Sequence, residues 1–582
     1  MRAVPWPEPD PVVAAAIRAK YARRKAPLAV MVRDRLGAWM ADELFAVAFG
    51  VRGRPGWPPS RLALVTVLQF AEDLTDRQAA EAVRTRLDWQ YALGLPLDDA
   101  GFDHSVLSEF RGRLAAHGLE EKVLEALLAR LAAEGLVGAG GKQRTDSTHV
   151  LAAVRALRTV ELAGESVRAA LEALAAACPG WLAGAVCVPD WTRRYGARID
   201  SWRLPAGKAA RQELTIGFAR DGYQLVGACY GGSAPPWARE LAAVQVLRTV
   251  LLQNFTRTVD EQGREVISRR EPGLGKTGLP PGSLKIGSPY DPQARWSVKK
   301  DLTWLGYKLH ISETCQDPPG CGCPPDPAAA RPARCGHDTR PNLITHVATT
   351  IAPVPDAAMT MPVNQALHRK GLPPARHYQD SGYAAPQAIA EAAQLGIVLV
   401  TPLLASTSWQ ARTETGYDRS AFTIDYDTRT VTCPQGHTSH SWYPTTTRGK
   451  DILTVAFPRR TCQPCPARTL CTTSTRTGRH LGIPPRDLHE LQTTARASQD
   501  TRHWQEDYKR RAGIEATISQ ATRVTSCRRA RYRGLAKTRL EHTYLAVALN
   551  LYRLDAYWNN TPIDRTRTSH LARLDLSLKP TA

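Results

Sequence analysis

No apolar run in this sequence approaches the ~20 residues that a helix needs to cross a bilayer. "GIVLVTPLLA" is among the longest, and it reads as a buried strand. The opening stretch, "MRAVPWPEPDPVVAAAIRAKYARRK", lacks the apolar core of a secretory signal and carries acids and prolines in its place. The expectation is a cytoplasmic protein with no membrane association. Acids are also in short supply: 55 Asp and Glu face 76 Lys and Arg, for a formal charge of +21. A surplus of that size attracts polyanions, nucleic acid ahead of an anionic membrane surface. In a reducing compartment the 12 cysteines read as thiols or metal ligands, not as a disulfide framework. Internal repeats are absent. A phosphate loop is excluded too, because "GKT" in "EPGLGKTGLPPGSLKIGSPYDP" has Arg270 where that loop needs glycine.

What is present is globular. Hydrophobic residues make up 43% and charged residues 23% of 582, a mixture able to bury several cores. Residues 1–135 read as helical throughout. "LTDRQAAEAVRTRLDWQYALGL" opens with Thr75 and Gln78 in capping-box spacing, and Ser105 stands as the N-cap of "FDHSVLSEFRGRL". Short helices and tight turns with exposed arginines suit a helix-turn-helix DNA-binding unit or a plain helical bundle. A strand over 143–150 follows within a 136–158 segment. Residues 159–285 read as a mostly helical insertion with amphipathic helices at 159–177 and 237–255. Over 286–403 strands and helices alternate. Residues 404–490 form a Cys-rich insertion, 491–558 the closing helices, and 559–582 a tail.

Three acids fall at conspicuous places: Asp146 in "RTDSTHV" on the first strand, Asp380 in "HYQDSGY" at a later strand end, and Glu515 in "YKRRAGIEATISQATR". Individually each has an ordinary explanation. A strand-end Asp caps a turn, and Arg511 with Glu515 makes an i,i+4 ion pair that stabilises a helix by about 0.3–0.5 kcal/mol. If the segment is one helix, Tyr508, Arg511 and Glu515 share a face. Converging carboxylates in a basic protein suit two hard divalent cations, each bridging a phosphate.

The ordered motifs resemble the DDE transposases of bacterial insertion sequences, which place three acids on an RNase H-like fold. "TDSTHV" resembles the first-Asp strand and "QDSGY" the second-Asp turn. Tyr508, Arg511 and Glu515 stand in the Tyr-x2-Arg-x3-Glu register of one large branch, and "SPYDPQARWSVKK", "WLGYKLHISETC" and "RRARYRGLAKTRLEHTYLAVALNL" resemble its flanking segments. The likeness covers most of the chain. It implies an α+β or α/β multidomain protein with an RNase H-like mixed-sheet core, an N-terminal helical domain, a helical insertion and a small Cys-rich insertion. It further implies catalysis of DNA cleavage and strand transfer by Asp146, Asp380 and Glu515 with two Mg²⁺, assisted by Tyr508 and Arg511. The partners implied are double-stranded DNA, both the element's terminal inverted repeats and the target, and a second copy of the chain on paired ends. One departure is visible: the branch has lysine where Thr522 stands here. Arg523, Arg528 or Arg529 could take its part, and Arg531, Arg533 and Lys537 extend a basic, acid-free DNA path. Two other readings stand beside this one: a DNA-binding relic or captured regulator without catalysis, and a metal-dependent nuclease that never joins strands.

The cysteines fall into groups. Cys462, Cys465 and Cys471 in "CQPCPARTLC", with Cys433 upstream and His437 as its alternate, suit a tetrahedral structural zinc site. The same cluster resembles one found before the Glu helix in related transposases. Cys315, Cys321, Cys323, Cys335 and His337 are irregularly spaced in a proline-rich loop, a poor pattern for metal. Cys178, Cys187, Cys229 and Cys527 read as scattered small hydrophobes.

Overall fold

The computed structural model describes residues 5–50, 56–200, 202, 204–271, 273, 278–299, 301–315, 340–406, 408–413, 415–447 and 449–560. The discarded phosphate loop at 275–277, Cys321, Cys323, Cys335, His337 and nearly all of the tail lie outside them. Among the described residues no helix is long and apolar enough to cross a membrane. The protein is a mixed α/β chain, in which a helical N-terminal region precedes a mixed six-stranded sheet. It divides into two compact units, residues 1–137, 147–354 and 515–582 in one, and 138–146 and 355–514 in the other.

The strands that matter are β1 (Lys142–Leu151), β2 (Phe255–Val259), β3 (Glu265–Arg269), β4 (Arg295–Lys299), β5 (Leu302–Thr314), β6 (Ile344–Ile351), β7 (Arg376–Gln379) and β8 (Val398–Val400). The sheet runs β4-β5-β1-β7-β8, with β6 paired to β5. β1 is divided between them, residues 142–146 in the second unit and 147–151 in the first.

In the first unit β4, β5 and β6 are antiparallel neighbours. Gly306 lies where β5 meets the end of β1, at φ +155°, and a Cβ there would stand 2.1 Å from the Val150 carbonyl oxygen. Only glycine lets the two backbones approach that closely. The unit's centre is the helix Leu535–Trp558, buried almost continuously from Leu540 to Leu551. Apolar packing alone does not orient it. Asn550 exchanges two hydrogen bonds with the Ile344 backbone (2.7 and 2.8 Å), and buried His542 pairs with Thr349 at 2.7 Å. The N-terminal helices pack on the same helix: Phe70 lies against Tyr544, and the Tyr552 hydroxyl donates to the Ala71 carbonyl (2.8 Å).

The Thr75–Gln78 capping box forms as expected. Ser105 is instead the first helical residue; Asp103 takes the capping part and accepts from the Ser105 N–H at 2.8 Å. The insertion contains the helices Thr159–Ala177, Lys208–Cys229 and Ala242–Asn254 around Val167, Leu174, Phe218 and Leu247. It also contains the β2–β3 hairpin, which a mostly helical reading did not include. Of the scattered cysteines, Cys178, Cys229 and Cys527 are buried and Cys187 is exposed.

In the second unit, Lys142–Thr145 of β1 runs parallel to β7, and β7 parallel to β8. The Cys-rich insertion is a small β-structure of a two-stranded and a three-stranded sheet, packed on Phe422, Val431, Val455, Phe457, Leu481 and Ile483. The helices Arg486–Gln499 and Arg502–Tyr508 follow.

Candidate functional site

Register puts two of the acids side by side. Thr145 pairs with Gln379 in the parallel ladder, so Asp146 and Asp380 are the next residues on neighbouring chains. At strand spacing their Cα atoms would stand roughly 5 Å apart if the ladder ran one residue further; Asp380 is the first residue past β7. Asp146 is half-buried, and the Arg511 guanidinium donates to its Oδ2 at 3.2 Å. Asp380 ends its strand under two restraints. Its Oδ1 accepts from the Gly382 N–H (3.0 Å), and its carbonyl accepts from the Thr401 hydroxyl (2.9 Å).

The segment bearing Tyr508, Arg511 and Glu515 differs from a single helix. The helix Arg502–Tyr508 tightens into a 3-10 turn at Lys509–Ala512 before Gly513–Thr525 resumes as α-helix. The common face expected for the three side chains is therefore broken, since a tighter turn rotates successive residues further. The turn frees Arg511 to reach Asp146. Tyr508 stacks on Trp504, ring centroids 4.9 Å apart. Glu515 is exposed in the first turn of the resumed helix, four residues along the chain from Arg511.

Residues the sequence did not single out hold this turn in place. Buried Asp507 accepts from the Tyr378 hydroxyl (2.8 Å), from Arg376 and from Arg510 (2.8 Å). Burial pushes the Asp507 carboxyl up, but the hydrogen bonds from Tyr378 and Arg376 outweigh it and hold the carboxyl below its usual range. Arg144 on β1 donates to the Arg510 carbonyl at 2.9 Å. Gly513 lies flat against that guanidinium, and a Cβ would fall 1.9 Å from Arg144 Nη1. A further acid, Asp356, stands close to Asp380, because a Cβ on Gly382 would be 3.0 Å from Asp380 Oδ1 and 3.4 Å from Asp356 Oδ2. Its setting in "APVPDAAM" carries no sequence signal. Beneath β7, His377 is fully buried between Thr145 (2.6 Å) and Asn364 (2.7 Å), and burial pushes it down to about 3.

The basic residues are unequally placed. Arg523, Arg528, Arg529, Arg533 and Lys537 are exposed. Arg528 also donates to Thr148 (3.1 Å), while its carbonyl accepts from the Leu151 N–H (2.8 Å), so this segment runs along the end of β1. Arg531 turns inward to the Leu74 carbonyl (2.9 Å), Asp73 and the Phe70 ring. The Thr522 hydroxyl bonds back to the Ile518 carbonyl at 2.9 Å and supplies no charge.

Among the described residues no group of three or more His, Cys, Asp or Glu stands in a metal-holding arrangement. The four insertion cysteines nonetheless line one cavity of about 30 Å³ together with His437. They sense one another: burial raises the Cys471 thiol, and Cys462, Cys433 and Cys465 raise it further against the pull of Arg479. Cysteine sulfurs are donors of the kind that zinc takes, but as placed here they do not form a metal-holding group.

Comparison with known families supplies the class first. Residues 21–113 match a family model described as "Transposase domain (DUF772)", and residues 432–555 match a second transposase model. That second model is described as "Transposase DDE domain"; its match takes in the four cysteines, Arg511 and Glu515, and leaves Asp146 and Asp380 outside. Both matched segments resemble transposase domains, and together they span less than half of the chain. No curated protein and no solved structure matches the chain.

Proposed function

We propose that this protein is the transposase of a bacterial insertion sequence, cutting and rejoining DNA at the ends of its element with Asp146, Asp380 and Glu515. The observation that carries the reading is the neighbouring placement of Asp146, midway along β1, and Asp380, the residue that follows the parallel strand β7, with Asp146 tied to the segment that leads into Glu515. Antiparallel pairs among β4, β5 and β6 and parallel pairs among β1, β7 and β8 are consistent with an RNase H-like core. Mg²⁺ held by these carboxylates would activate a water or 3′-hydroxyl and stabilise the leaving oxygen. Arg511 neutralises and orients Asp146. Asp507 and Arg144 anchor the turn that carries Arg511, and Thr401 fixes the backbone of Asp380. Arg523, Arg528 and Arg529 present charge to the DNA backbone. Cys433, Cys462, Cys465 and Cys471 would hold zinc that ties the insertion together. Function as a homodimer on paired ends, in the cytoplasm, follows from the same reading.

The test is incubation of purified protein with Mg²⁺ and duplex DNA carrying the sequence that flanks its gene. Nicked or joined products support the reading, and their absence under conditions of tight binding rejects it. One observation favours a second reading, a DNA-binding protein without catalysis: Thr522 gives no cation at its turn of the helix. Binding without any strand breakage would select it, and breakage without joining would select a nuclease.

A further inference from the structure

We infer that the Cys-rich insertion carries a second DNA contact, a basic pocket that takes phosphodiester groups of a strand; the choice of polyanion rests on the transposase reading. A cavity of about 550 Å³ lies within the second unit, its walls including Arg419, Arg479, Arg496 and His489. The three guanidinia reach only neutral acceptors. Arg419 donates to Gln492 Oε1 (2.9 Å), Arg496 to the Leu404 carbonyl (3.1 Å) and Arg479 to the Cys471 carbonyl (2.8 Å). Asp418, the acid of the lining, is occupied by Ser420, accepting from its N–H (2.9 Å) and hydroxyl (2.5 Å). Among the described residues Arg479 Nε, Arg496 Nε and His489 Nδ1 are buried without a hydrogen-bond partner. The two guanidinium N–H groups gain a hydrogen bond when an acceptor arrives.

Charge points the same way. Burial, and after it the charge of Arg496, holds the Arg419 guanidinium below its ordinary range against the opposing pull of Tyr426 and Asp418, so three guanidinia face a common space that holds one acid. An anion placed there removes the repulsion, and the planar forks suit phosphate oxygens. The volume is many times the ~30 Å³ share of one water molecule and admits a length of chain, not a lone ion. Phe422, the phenyl ring of the lining, already lies under Arg479 at 5.9 Å, which leaves guanidinia ahead of stacking rings on the walls. The contact is therefore to backbone and independent of sequence.

The experiment measures binding of a fluorescent duplex of arbitrary sequence over a salt series, for wild type and for Arg419→Gln/Arg496→Gln. The double variant should lower the slope of log K against log salt by about 2 and weaken binding to all sequences alike. Arg419→Lys/Arg496→Lys, which keeps the charge, should retain most of the slope and so separate charge from misfolding. An unchanged slope in the Gln variant overturns the pocket. So does tight uptake of inorganic phosphate by wild type with no change in the DNA slope, which would assign the cavity to a free anion. If wild type never cleaves DNA yet the slope falls in the Gln variant, the catalytic reading fails and the pocket stands.

Discussion

Asp507 shows how one side chain can position a site it does not belong to. It ties β7 to the turn carrying Arg511 through Tyr378, Arg376 and Arg510. Asp507→Asn removes the charge those groups face. Arg376 is 35% exposed, so the loss is smaller than for a fully buried pair, about 2–3 kcal/mol in urea unfolding. Its depressed carboxyl stabilises the fold above the ordinary Asp range and loses that effect as pH falls through the folded value, a contribution the Asn variant should lack. Gly513→Ala tests the fit against Arg144. The new methyl displaces the guanidinium, and the variant should lose about 1–3 kcal/mol and much of its cleavage rate. An Ala variant with wild-type stability and activity would show that Arg144 moves aside at no cost.

Among the elements, those with a strong local pattern were legible. β1, expected at 143–150, spans Lys142–Leu151, and the helix expected at 159–177 is Thr159–Ala177. The capping box was legible because its two partners are three residues apart. The 3-10 turn between Tyr508 and Gly513 was not, because it is imposed from a distance, by Arg144 on the Arg510 carbonyl and by β7 on Asp507. Periodicity sees only neighbours on one helix. The β2–β3 hairpin was hidden by the long helices around it. For the candidate site, the places of Asp146 on the first strand, Asp380 just past a later strand and Glu515 in a late helix could be read. Their supports, Asp507, Arg376 and Tyr378, are ordinary residues whose pairing spans more than 120 positions. Asp356 had no signal at all. The cysteines of the insertion were legible as a group because their spacing is local, and they line one cavity; on the zinc proposal, treatment with a chelator should expose the insertion to protease while leaving the helix Leu535–Trp558 protected.

For the molecule as a whole, buried titratable groups set an acid limit. His377 and His542 are both fully buried and both pushed down to about 3 by burial, against an ordinary 6.5. Each is neutral in the fold and protonated when unfolded below pH 6.5, so each removes about 1.4 kcal/mol per pH unit as pH falls from 6.5 toward 3. Glu541 works in the opposite sense: burial pushes it up to about 7 from 4.5, so its contribution is complete below 4.5 and fades as pH rises to 7. Between pH 4.5 and 6.5 the two histidines outweigh the one glutamate, and stability should rise with pH by about 1.4 kcal/mol per unit. Urea denaturation at pH 5 and pH 6 checks the sign; His542→Asn should flatten the slope by about one proton's worth. At the same scale the formal charge of +21 makes binding to any DNA strongly dependent on salt.

The most direct test of the central claim is Mg²⁺-dependent strand cleavage by Asp146→Asn, Asp380→Asn and Glu515→Gln, assayed beside wild type on the DNA that flanks the gene. Each variant should lose about 10³-fold or more in cleavage while binding the duplex within a factor of about two. Wild-type cleavage by any one of the three would remove that residue from the reacting centre and contradict the account.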